Sequence, residues 1–280
     1  MLRPIFLAML LGAASTAWAQ ARPPEGMVSD PCEGLTVPVP EAVIAYLRKL
    51  AVLSQGAAPP VPPVEFAAYR TANLEARKSD WPDLCHYRAD NERRRAGPAS
   101  ARRIVFMGDS ITEIWGIDDP AFFSDDIVNR GISGQTTPQM LLRFQADVVA
   151  LKPVAVHIMA GTNDIAGNTG PTGAEDYKNN IKAMVALAKA GGIKVILASI
   201  PPAGRFAWKP TIKPVPQIAE LNAWLASYAK AEKLSFLDYH PALAAPDGAL
   251  RPDLTFDGVH PNHAGYRAMA PLARQAIGVR

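Results

Sequence analysis

The sequence predicts an α/β fold, in which a parallel sheet of five strands is covered by helices on both faces and preceded by a helical segment. Two observations predict the sheet. From Arg102 onward, short runs rich in Val, Ile and Phe recur, each closed by Gly or Pro or followed by a helical pattern. Most of the runs are nearly continuous in apolar residues, as in strands buried on both faces. A third observation sets the front segment apart, because residues 20–100 are dense in proline and contain no such run.

In chain order, the front segment is cut by Pro23-Pro24, Pro38, Pro40, Pro59-Pro60 and Pro62-Pro63. Helical patterns fall between these breaks, over 41–53, 65–78 and 81–95. In the first, Ala42, Ala45, Tyr46, Lys49 and Leu50 keep helical spacing behind Pro40, a residue suited to a helix start. Three short helices with few large apolar residues cannot bury a core of their own, so they are expected to lie on the main domain. The run Arg93-Arg94-Arg95 reads as a solvated helix end.

The strand candidates are 104–107 closed by Gly108, 127–129 closed by Gly131, 154–159 closed by Gly161, 193–200 closed by Pro201-Pro202, and 234–237. Helical patterns over 138–151, 174–190, 216–231 and 263–277 alternate with the later ones. Pro271 falls inside the last pattern and predicts a kink or break there. The expected organisation is a leader at 1–19, an extension at 20–100 and the α/β domain at 101–280.

The leader has a positive start at Arg3, an apolar run from Ile5 to Leu11, and Ala17-Trp18-Ala19, in which small residues occupy both cleavage-determining positions. That is the pattern of a secretory signal cut before Gln20. The run is shorter than the ~20 apolar residues of a membrane span, so the mature protein is expected in the periplasm or outside the cell, with no membrane span. Cys32 and Cys85 are the two cysteines, and in an oxidising compartment they predict one disulfide. A net charge of +3 gives no case for nucleic acid as partner.

Ligands of open parallel sheets bind beyond the carboxyl ends of the strands. The first three runs end in Gly108-Asp109-Ser110, Gly131-Ile132-Ser133-Gly134 and Gly161-Thr162-Asn163-Asp164, so all three clusters are expected to face one cleft. Asp257-Gly258-Val259-His260 precedes the final helix and can reach the same edge. A serine hydroxyl becomes a nucleophile when a base takes its proton, and His260 is the candidate base for Ser110. Asp257, three residues earlier, can fix the tautomer of the imidazole across a turn. The Ser110 and Gly134 backbone N–H groups and the Asn163 amide can hold an oxyanion.

Competing structural roles stand beside these. Ser110 could cap the helix beginning near Ile111, and Ser133 reads as a turn residue. Asp164 reads as a group that fixes its loop, and His157 as a hydrogen-bonded core residue. Asp257, His260 and His263 could be metal ligands, but no second ligand cluster accompanies them, and no metal is expected. Trp208, in the proline-rich loop after the fourth strand, is a candidate wall of the substrate pocket.

The blocks Phe106-Met107-Gly108-Asp109-Ser110-Ile111-Thr112, Asn129-Arg130-Gly131-Ile132-Ser133-Gly134-Gln135-Thr136, Gly161-Thr162-Asn163-Asp164 and Asp257-Gly258-Val259-His260-Pro261-Asn262 together resemble the SGNH/GDSL hydrolases. The resemblance covers about residues 102–280. It implies a flavodoxin-like three-layer αβα fold and a serine esterase needing no cofactor. In it Ser110 is the nucleophile, Asp257 and His260 complete the triad, and Gly134 and Asn163 are oxyanion donors. Within the family the blocks look most like the short-chain branch, so the expected substrate is an acetyl-type ester, first of all on a carbohydrate. A lipid or lysophospholipid ester, acyl transfer to an envelope polysaccharide, and carbohydrate binding without catalysis stay open. The oligomeric state is not legible.

Overall fold

The computed structural model describes residues 26–98, 100, 102–124 and 126–278. The secretory signal expected over residues 1–19 lies outside them. In front of the sheet come helices α1 (Glu41–Ala51), α2 (Val64–Ala76) and α3 (Arg88–Ala96). They bury little, as their composition requires: α2 buries no residue, α1 only Val43 and Ala51, and α3 only Asn91. A disulfide joins Cys32 to Cys85.

The third helix is shorter than the pattern over 81–95. Residues 81–87 form turns, because the Asp80 carboxylate accepts from Leu84 N at 2.9 Å and Cys85 N at 2.8 Å. These side-chain bonds hold the backbone N–H groups that a helix would use, and Asp83 adopts a left-handed φ of 56°. The helix starts only after this knot, at Arg88.

Strands β1 (Ile104–Gly108), β2 (Ile127–Gly131), β3 (Ala155–Met159), β4 (Lys194–Ala198) and β5 (Ser235–Leu237) pair in parallel in the order β2-β1-β3-β4-β5. Between and after them run α4 (Ser110–Asp118), α5 (Thr137–Asp147), α6 (Thr162–Ala166), α7 (Ala174–Ala190), α8 (Pro214–Ala231), α9 (His240–Leu243) and α10 (His263–Ile277). Side chains alternate across β1. Val105 and Met107 enter the core beneath α5, α7 and α8, while Ile104 and Phe106 enter the core shared with α4 and α10. The molecule is therefore a three-layer αβα sandwich, and the strand order reverses between β1 and β3, where the ligand crevice of such sheets lies.

Two helix expectations are corrected. The pattern over 138–151 is an α-helix only to Asp147, followed by a 3₁₀ turn at Val149–Leu151 and a left-handed Lys152. The final helix runs through Pro271 without a break. Pro271 and Arg267, whose carbonyl would lose its helical donor, are both exposed, so water can satisfy the freed oxygen.

His157, at the centre of β3, stacks on Phe106 at 4.4 Å, and its Nε2 lies 3.1 Å from the Tyr239 hydroxyl. Burial lowers its pKa to about 3, so it is a neutral core residue.

Candidate active site

β1 delivers its last residue, Gly108, straight into the first turn of α4. The cap of that helix is Asp109, whose Oδ1 accepts from Ile111 N at 2.9 Å. Ser110 is thus the first helical residue and not the cap, which leaves its hydroxyl available for another partner. Its Oγ lies 2.8 Å from His260 Nε2. On the far side of the ring, His260 Nδ1 lies 2.7 Å from Asp257 Oδ2.

Local sequence explains why Asp257 can hold the ring. Its Oδ1 accepts from Val259 N at 2.9 Å and from His260 N at 2.8 Å, so the carboxylate is pinned by the turn it opens. Thr255 closes the turn from below, accepting from Gly258 N at 2.9 Å and donating to His260 O at 2.6 Å. The Phe256 ring is stacked on the imidazole at 5.6 Å. An ionised carboxylate only accepts, so Nδ1 carries the proton and Nε2 presents its lone pair to Ser110 Oγ. Burial disfavours the imidazolium, but the charges of Asp257 and Asp109 outweigh it and hold the His260 pKa above its ordinary 6.5. Burial likewise opposes the Asp257 carboxylate, yet His260 and the backbone N–H groups keep its pKa below the ordinary value.

The second wall of the site comes from the loop after β2. Gly131 sits against the turn that carries Ser110. A Cβ there would lie 2.3 Å from Glu113 N and 2.7 Å from Asp109 O, so only glycine permits the approach. Gly134 has φ +80°. Among the described residues its N–H donates to no protein group, and Ser110 N–H is one of the first-turn donors that a helix leaves unpaired.

Asn163, at the start of α6, is placed differently. Its Nδ2 lies 3.1 Å from Gln135 O and 3.2 Å from Asp109 Oδ2, so a substrate oxygen would have to share this amide. Burial pushes the Asp109 carboxyl up to about 6. On its other side Asn163 Oδ1 accepts from Asn168 Nδ2 at 2.5 Å, and Asn168 Oδ1 accepts from Trp208 Nε1 at 2.9 Å. Trp208, half-exposed, is stacked on buried Phe206 at 5.2 Å. It therefore stands at the outer end of a hydrogen-bonded chain that ends on Asn163.

Two polar residues that support this constellation, Arg143 and Asp147, were not singled out in the sequence. Arg143 of α5 is fully buried and spans the strand ends, donating to Gly108 O at 3.0 Å, Arg130 O at 2.9 Å and Gln135 Oε1 at 2.5 Å. Its fourth partner is Asp147, at 2.8 Å. The signal was present: Arg143 and Asp147 share a helical stripe with Met140 and Phe144, and a charged pair on an apolar stripe needs an explanation. Asp164 accepts from Thr137 N at 3.1 Å and from Thr137 Oγ1 at 2.5 Å, tying α6 to α5. Ser133 is a turn residue whose N–H donates to Glu113 Oε2 at 2.8 Å. His263 opens α10, and its Nδ1 lies 3.1 Å from Asp118 Oδ2.

Ser110, His260, Asp257 and two free N–H donors thus meet at the carboxyl ends of the strands, an arrangement that can carry acyl transfer. Comparison with known proteins agrees with that chemistry. A solved structure of a GDSL-like lipase from Bacteroides thetaiotaomicron is 45% identical, with a TM-score of 0.67, covering 70% of this chain and 98% of that one. An acetylxylan esterase of Xylanibacter ruminicola is 29% identical over 213 residues, 63% of this chain and 43% of that protein. A lipoprotein of Bacillus subtilis, YqeF, is 40% identical over 80 residues, 28% of this chain. The chain thus spans less than half the length of these last two relatives, 43% and 33%. Residues 106–268 match the GDSL-like lipase/acylhydrolase family over more than half of the chain, and the protein belongs to that family.

Proposed function

We propose that the protein is an exported serine esterase that hydrolyses short-chain, acetyl-type esters carried on carbohydrate. It is a carboxylic ester hydrolase, as its family membership implies. The observation that supports the catalytic assignment is the line Ser110 Oγ, His260, Asp257, with contacts of 2.8 and 2.7 Å. Ser110 attacks the ester carbonyl while Nε2 of His260 takes its proton. Asp257 holds the imidazolium that forms. The oxyanion is met by the N–H groups of Ser110 and Gly134 and by the Asn163 amide. His260 then protonates the leaving alcohol and activates water against the acyl-enzyme, freeing the acid and restoring Ser110. The chain's own groups and water supply every step.

For the acyl and alcohol parts, support comes from a relative. The Xylanibacter relative is an acetylxylan esterase by name. Export is supported by the disulfide and by the relative that is a lipoprotein. No helix among the described residues is long and apolar enough to cross a membrane.

The test is hydrolysis of p-nitrophenyl acetate, butyrate and octanoate, and acetate release from acetylated xylan, by wild type and Ser110→Ala. Activity that falls with chain length and vanishes in the variant supports the proposal. A folded wild type inert on every ester, or a Ser110→Ala variant with near-full activity, overturns it.

A further inference from the structure

We propose that Arg77, from the end of the α2 segment, is a positioning residue for the Gly134 N–H, which makes the segment in front of the sheet part of the catalytic apparatus. The inference rests on the esterase reading above.

The argument starts from one peptide group. The Ser133 carbonyl and the Gly134 N–H belong to the same planar trans peptide and point to opposite sides of the chain. Whatever grips the carbonyl therefore aims the N–H. Arg77 Nη2 donates to Ser133 O at 3.0 Å. The preceding peptide is gripped too, since Ser133 N–H donates to Glu113 Oε2 at 2.8 Å. The residue before Gly134 is thus clamped at both ends by side chains of opposite charge, and the Gly134 N–H has no protein acceptor among the described residues. A cation on the carbonyl also polarises the peptide, which makes its N–H a better donor.

Arg77 is itself built in. Its Nε lies 3.0 and 2.9 Å from the two carboxylate oxygens of Asp83. Asp83 Oδ2 also accepts from Gln135 Nε2 at 3.0 Å, and the same amide nitrogen donates to Pro82 O at 2.9 Å. Residues 77–83 and 133–135 are therefore one hydrogen-bonded unit. Asp83 makes these contacts from a left-handed φ of 56°, a conformation uncommon for a non-glycine residue. The nearest atom to the place where a Gly134 Cβ would stand is Arg77 Nη1, at 3.9 Å. The guanidinium thus lies beside the donor it is inferred to aim.

An N–H that meets the oxygen more closely in the transition state than in the ground state acts on kcat and leaves KM nearly alone. For Arg77→Gln in the full chain, kcat on p-nitrophenyl acetate should fall about 10–100-fold, the scale of a small misplacement of a catalytic donor. KM should stay within about twofold, and affinity for a boronic acid that mimics the tetrahedral intermediate should fall in step with kcat/KM. Arg77→Lys should recover only part of the loss, since an ammonium cannot span the Asp83 carboxylate and the carbonyl together. Asp83→Asn, which leaves the Arg77 charge in place but loosens its seat, should move kcat in the same direction. Thermal unfolding shows that each variant is folded at the assay temperature. A kcat for folded Arg77→Gln or Arg77→Lys within about twofold of wild type, a loss confined to KM, or unchanged boronate affinity overturns the proposal. Ser110→Ala, run alongside, separates the two claims. If it stays active the esterase reading fails, and if it is inactive while Arg77→Gln is unimpaired only the role of Arg77 fails.

Discussion

Replacing Asp257 by asparagine removes one charge and almost no volume, and the geometry dictates how the new amide must sit. Oδ1 of Asp257 accepts from two backbone N–H groups, at 2.8 and 2.9 Å, and an amide NH₂ turned toward them would set donor against donor. The amide oxygen of the replacement must therefore take that place, which puts its NH₂ where Oδ2 now stands, 2.7 Å from His260 Nδ1. Facing a donor, Nδ1 must accept, and the ring proton moves to Nε2. There it points at Ser110 Oγ, 2.8 Å away, and the base is in the wrong tautomer. Trapping that tautomer costs about 10⁴ in kcat, or roughly 5 kcal/mol of transition-state stabilisation. The pH profile should move as well. Only the neutral imidazole is a base, and its raised pKa in the wild type places the acid limb of kcat/KM above 6.5. Burial lowers the His260 pKa and Asp257 raises it, so loss of the carboxylate shifts the limb to lower pH. The assay is kcat/KM of Asp257→Asn on p-nitrophenyl acetate across the acid and neutral range. A variant within about tenfold of wild type, or an acid limb that does not move, would refute the reasoning.

Three further outcomes are expected. Arg143→Leu strands the buried Asp147 carboxylate with Asn91 as its remaining side-chain hydrogen-bond partner among the described residues, and should cost about 3–5 kcal/mol in urea unfolding; a loss below about 1 kcal/mol would count against the strand-end brace described for Arg143. The double variant Cys32→Ser/Cys85→Ser opens a loop of 53-residue separation and should lose up to ~4 kcal/mol of stability, read as a lower thermal midpoint that reductant no longer changes. Trp208→Phe keeps a ring against Phe206 but removes the N–H that reaches Asn168, so kcat should fall with KM unchanged; a rise in KM alone would contradict the chain to Asn163 and make Trp208 a substrate wall.

The layers of this fold were legible because burial on both faces writes each strand as an apolar run, closed in the first two by the glycine on which the strand ends. The candidate site was legible for a related reason, since a parallel sheet brings the ends of β1, β2 and β3 together whatever the loop details. What the sequence hid is cooperative. The knot at Asp80 that delays α3 looks like an ordinary helical pattern until the Asp80 carboxylate is seen to take the N–H groups of Leu84 and Cys85. Pro271 leaves the last helix unbroken, since the residue whose carbonyl it orphans is exposed and open to water. Arg77 and Asp83 lie 56 and 52 residues from their partners Ser133 and Gln135, and no local pattern connects such pairs. Arg143 and Asp147 were the supporting residues whose position on an apolar stripe gave notice.

The central claim, that Ser110 is the nucleophile, is tested most directly by intact-mass and peptide mapping after reaction with a serine-directed organophosphonate. One adduct per chain, on the peptide carrying Ser110, absent from Ser110→Ala and forming along the same acid limb as ester hydrolysis, is the predicted result. An adduct on another residue, or esterase activity that survives in Ser110→Ala, would contradict it.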